Sequence, residues 1–120
     1  MKKWVLLKHS LDNLNFESFH YDILFEDYND CFTWKFYEIP LINGPSVEII
    51  KQNNHRLIWL SIESKVLSRG RGRAKRIDSG QFKIIENNFY KNDFSLELDG
   101  KFLSGIFQKK GNLLRLISNN

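Results

Sequence analysis

Residues 19–30 read FHYDILFEDYND. On an extended chain successive side chains alternate faces, so His20 and Asp22 project together, followed on that side by Leu24 and Glu26. Tyr21, Ile23 and Phe25 take the opposite face. An imidazole and a carboxylate offered in parallel can chelate a divalent cation such as manganese, zinc or iron; the same pair can equally form a surface hydrogen bond. Two ligands make a weak site, so a metal needs a third. The chain has three histidines, His9, His20 and His55. His9 closes the apolar run WVLLKH and reaches the pair if that strand lies beside the second. Taken singly, His9 and His55 also suit half-buried structural roles.

A second chemical feature is KVLSRGRGRAKR, residues 65–76, which holds Lys65, Arg69, Arg71, Arg73, Lys75 and Arg76 without an acid. These six positives exceed the net charge of +4, so the rest of the chain is slightly acidic. The run reads either as a solvated loop or as a flexible segment that grips phosphates.

The elements that must position these residues are mostly strands. Apolar residues come in short runs rich in β-branched and aromatic types, which predicts strands near 3–9, 20–27, 31–38, 46–52, 56–63, 74–78, 81–86, 93–98, 101–108 and 112–117. Turn chemistry separates them at DYND (27–30), INGPS (42–46), DSGQ (78–81), Asp99-Gly100 and Lys110-Gly111. Leu11, Leu14 and Phe19 are roughly helically spaced, so 10–19 is the expected place for a short helix. Many short strands with tight turns imply an all-β antiparallel barrel or sandwich.

Composition bounds the rest. One hundred and twenty residues, 42% of them hydrophobic and 14% aromatic, make a single folded domain spanning 1–120. A lone cysteine, Cys31, excludes an internal disulfide and a cysteine-built zinc site; with no histidine close in sequence it reads as inert. The opening MKKWVLLKHS has only four apolar residues before Lys8, too few for a signal peptide, and no window approaches the roughly 18 of a membrane span. A soluble cytoplasmic protein is expected.

The order WVLLKH, HYDILFE, TWKF, HRLIWLSIES, IDSG and FSLELDGKFLSGIF resembles the 3′-phosphoesterase domain of bacterial DNA ligase D and its stand-alone relatives. That family has a His-Tyr-Asp strand, matched by His20, Tyr21 and Asp22, with Glu26 in its glutamate position. Trp34, His55 with Leu57, Asp78 with Gly80, and Gly100, Leu103, Gly105 and Phe107 match later motifs. All three histidines fall where the family has histidines.

The resemblance implies an antiparallel β-barrel of about eight strands whose concave face binds a divalent metal, typically manganese, with zinc or another transition metal as alternatives. His9, His20 and Asp22 would be its ligands, and His55, with His20, would carry catalysis. The implied reaction heals 3′ ends of DNA or RNA, removing a 3′-phosphate or a terminal ribonucleotide for a separate DNA ligase. The chain departs from the pattern in several places. Leu24 stands where the family has a phosphate-clamping arginine, Trp59 where it has tyrosine, Arg56 where it has proline, and Asn53 and Asn54 where it has acids. Ten residues, not five, separate His9 from His20, and the arginine run replaces a glycine-rich loop. Two readings accommodate these changes. Either Arg56 or the cations of the run (Arg69, Arg71, Arg73, Lys75, Arg76) take over the clamp, or the protein binds nucleic-acid ends without hydrolysis. A small interaction module within a repair or RNA-processing assembly is a blander alternative.

Overall fold

The computed structural model describes residues 2–12, 17–67 and 70–119. Ten strands form one antiparallel sheet: β1 (Lys2–Asp12), β2 (Glu17–Glu26), β3 (Asp30–Phe36), β4 (Val47–Glu48), β5 (Ile50–Arg56), β6 (Ser64–Val66), β7 (Arg73–Glu86), β8 (Phe94–Asp99), β9 (Ser104–Lys110) and β10 (Leu113–Ile117). The order across the sheet is β4-β10-β9-β8-β7-β1-β2-β3-β5, with β6 pairing separately to β7. Among the described residues, no ladder joins the two edges. The edge strands β4 and β5 are instead successive pieces of one segment, broken only at Ile49, whose amide donates to the Asn112 carbonyl. The all-β antiparallel expectation therefore holds, but the sheet has ten strands rather than about eight and is not closed into a hydrogen-bonded barrel.

The alternation seen in the sequence drives the curling. Phe25 on β2 meets Trp34 on β3, Phe82 on β7 and Phe107 on β9, with ring centroids 6.0, 5.4 and 5.5 Å apart. Strands so far apart in the sheet order touch only because the sheet wraps around this face. Trp4, Leu6, Ile23, Phe36, Phe94, Leu96 and Leu116 complete the same core. A smaller cluster lies on the other face: Val5, Leu7, Leu24 and Cys31, covered by Leu57, Trp59 and Leu60.

Several local expectations are corrected. The short helix expected in 10–19 is absent from its described part, because β1 runs to Asp12 and β2 starts at Glu17; residues 13–16 lie outside the described residues. A 3-10 turn, Leu57–Leu60, replaces the strand expected at 56–63, and lays its apolar side chains over Leu24. DSGQ is no turn. It lies inside the 14-residue β7, which bulges at Ile77 instead.

The reason lies in what Asp78 and Gly80 touch. The Asp78 carboxylate, 5% exposed, accepts backbone N–H bonds from Ser79, Lys101, Phe102 and Leu103 at 2.7–2.9 Å, and so organises the β8–β9 connection. A Cβ at Gly80 would come within 2.1 Å of Asp99 Oδ1, so glycine permits a close approach.

At the β4–β5 seam, Lys51 donates to the Thr33 carbonyl and Lys109 to the Asn92 carbonyl. Burial holds both ammonium groups below the usual lysine range, partly offset by Asp30 and Asp93 respectively. Among the described residues, no helix is long and apolar enough to cross a membrane.

Replacing Asp78 by Ala orphans buried amides and is expected to cost about 3 kcal/mol of unfolding free energy in urea titrations.

Candidate metal centre

The metal-ligand candidates are assembled by a single ladder. In the β1–β2 pairing His9 lies opposite His20 and Leu7 opposite Asp22. Cross-strand partners share a face and so do residues two apart, so His9, His20 and Asp22 converge. One ligand atom from each lies within 4.8 Å of the others, a cluster that could hold a metal ion. His20 Nε2 is 3.2 Å from Asp22 Oδ2, and the two imidazoles meet edge to face at 4.8 Å.

This cluster lies on the face opposite the aromatic core. The hollow of the sheet is filled by Phe25 and its neighbours, which corrects the expectation of a site on the concave face.

His9 is oriented from β7's side of the sheet. Its Nε2 lies 2.7 Å from the Arg71 carbonyl; a carbonyl only accepts, so Nε2 carries the proton and Nδ1 keeps the lone pair a metal needs. Metal-ligating histidines commonly donate their second N–H in this way.

The glycine that follows, Gly72, makes this contact possible. Its φ is +91°, and a Cβ there would meet the Ser10 carbonyl at 2.0 Å. Only glycine lets the loop backbone lie this close to β1. A backbone bond from the Leu67 amide to the Gly72 carbonyl closes the loop.

His55 approaches from a third direction. It pairs with Cys31 across β3–β5, and its Nδ1 donates to the Asn53 carbonyl at 3.0 Å, leaving Nε2 for proton exchange. With His9, Asp22, Trp59 and Arg71 it lines one cleft of about 240 Å³.

Leu24, where the ligase D resemblance would place an arginine, is fully buried under Trp59 and Leu60, so no cation can act from there. Cys31 beside it is buried, and its thiol is pushed up to about 12, first by burial and then by the Asp30, Glu26 and Asp27 charges.

Of the cations proposed to grip phosphate that lie among the described residues, Arg71 alone lines this cleft. Arg73 and Lys75 pair with Ser10 and Lys8, which places them on the opposite face. Arg76 is on the site face but donates to Glu63 at 2.8 Å and to the Leu60 carbonyl. Arg56 follows His55 on extended backbone (φ −69°, ψ 150°) and is exposed outside the cleft. Arg69 lies outside the described residues.

Two lysines lie on the same face by register. Lys35 is the cross-strand partner of Asp22, and Lys65 is the partner of Ala74, itself opposite His9. The Lys65 ammonium sits 5.4 Å from the centre of the Trp59 ring. Lys35 was legible in principle: a hairpin turned at DYND sets Asp22 against it. Lys65 carried no such signal, since its placement depends on β6 pairing with β7.

No protein-family model matches the chain, and no curated protein sequence matches it either. The functional reading therefore rests on the geometry of the site.

Gly72→Ala should lift the loop from β1 and weaken manganese binding about tenfold by calorimetry, whereas Arg71→Ala, which keeps the carbonyl, should leave it nearly unchanged. Cys31 should resist a thiol reagent at pH 8 in the folded protein and react at once in denaturant.

Proposed function

We propose that this protein is a divalent-metal-dependent phosphoesterase that heals 3′ ends of DNA or RNA, removing a 3′-phosphate or a terminal ribonucleotide. The observation that carries this reading is that His9 and Asp22, two members of the His9–His20–Asp22 cluster, line one cleft together with His55 and Arg71. Two imidazoles and a carboxylate suit manganese, zinc or iron. Donor sets of this kind also serve iron oxygenases, but Arg71, Lys35 and Lys65 around this one favour an anionic substrate. Manganese is the ion that the ligase D likeness implies.

His9 through Nδ1, His20 and Asp22 would hold the ion, which when bound polarises the phosphoryl group and offsets its developing negative charge. Arg71 draws the phosphate to the cleft and stands in for the arginine displaced by Leu24. His55 holds its Nδ1 proton on the Asn53 carbonyl and uses Nε2 as general acid. Water oxygen bonds to phosphorus, the phosphorus–oxygen ester bond breaks, and the Nε2 proton of the imidazolium passes to the leaving oxygen. Trp59 walls the cleft next to His55, with ring centroids 6.3 Å apart. A second reading, end-binding without hydrolysis, is favoured by Leu24 alone, because its burial removes a charged phosphate contact from the site.

A primer ending in 3′-phosphate should lose inorganic phosphate in the presence of manganese. His20→Ala and His55→Ala should each slow release by at least about 10²-fold, with metal binding lost only in the first. Tight end-binding by the wild-type protein with no release would instead support the second reading.

A further inference from the structure

His9 borders two clefts. Beyond the one shared with His55, a larger cleft of about 470 Å³ opens on the β1–β2 hairpin side. Its lining includes His9, His20 and Arg71 together with Leu11, Phe19 and Tyr37. His9 and Arg71 line both clefts, so a phosphate held at the triad is next to this one.

The second cleft has a different chemistry. Tyr37 is 56% exposed, Phe19 40% and Leu11 36%, and neither Tyr37 nor Phe19 belongs to the aromatic core. Tyr37 touches the site directly, its ring edge to face with His20 at 6.4 Å, and the Lys35 ammonium lies 5.6 Å from its ring centre. An exposed ring costs free energy in water, and Tyr37's lines a cavity of small-molecule size that begins at two imidazoles and an arginine, whereas the Phe19 ring packs against Tyr21 and beneath the Lys8 ammonium. Aromatic surface joined to a phosphate-attracting corner matches one ligand shape: a flat heterocycle carried on a sugar phosphate.

We propose that this cleft is a nucleoside subsite, which takes the base and sugar of the terminal nucleotide whose phosphate lies at the triad, with Tyr37 as the main stacking platform. This rests on the phosphoesterase reading and adds to it the part of the substrate that is recognised. Every base has a π-face, so the subsite should tolerate base identity.

The test is calorimetry in the His55→Ala background, which prevents turnover, with manganese present. Adenosine 3′-monophosphate should bind about tenfold more tightly than inorganic phosphate. Tyr37→Ala should erase that gain, Tyr37→Trp should keep it, and phosphate affinity should be the same in all three proteins. Tyr37 is largely exposed, so neither change should disturb folding; urea titration checks this. Equal affinity for nucleotide and phosphate, or a gain that survives Tyr37→Ala, would overturn the subsite and leave the phosphoesterase reading standing. Failure to bind either ligand would overturn both.

Discussion

The pairing of His9 with His20 across β1 and β2 is the constraint on which the site depends. Strand geometry sets neighbouring partners close together and two-residue neighbours on one face, so a single register delivers both imidazoles and the Asp22 carboxylate to one point. A slip of one residue would turn His20 and Asp22 toward the aromatic core and send Tyr21, Ile23 and Phe25 into water. That alternative is excluded by the core itself. Phe25 packs against Trp34, Phe82, Phe89 and Phe107, so the apolar face of β2 locks the polar face in place. Packing energy on one side of the sheet thus fixes ligand geometry on the other.

The loop before β7 has a role that its charge conceals. Its arginines suggest phosphate contacts, yet two of its neighbours on β7, Arg73 and Lys75, point away from the site, and Arg76 is engaged with Glu63. What the loop contributes at the His9–His20–Asp22 cluster is backbone: the Arg71 carbonyl fixes the tautomer of His9, and Gly72 lets it come near enough to do so. The Arg71 side chain then adds positive charge to the rim of both clefts. Main-chain orientation and side-chain attraction come from one residue and can be separated by substitution.

The apolar identity of Leu24 also has a structural logic. Leu24 is one of four residues of a small apolar cluster that the 3-10 turn covers, and this cluster supports the wall carrying His55 and Trp59. Cations at the edges, Arg71, Lys35 and Lys65, supply positive charge where solvent still reaches.

The alternating pattern of HYDILFE determined which side chains share a face, and DYND determined the turn after it, because strand periodicity and turn chemistry are local properties. The same local logic identified most strands, and it failed at DSGQ and at 56–63. There Asp78 and Gly80 answer to residues about twenty positions away, and Leu57, Trp59 and Leu60 answer to an apolar patch formed by β1, β2 and β3. The tertiary structure alone decided that His9 meets His20, that the cluster lies outside the filled hollow, and that Arg71 rather than its neighbours adjoins it. Register across a long hairpin and the route of a loop are set by the packing of distant strands, so no window of sequence contains them.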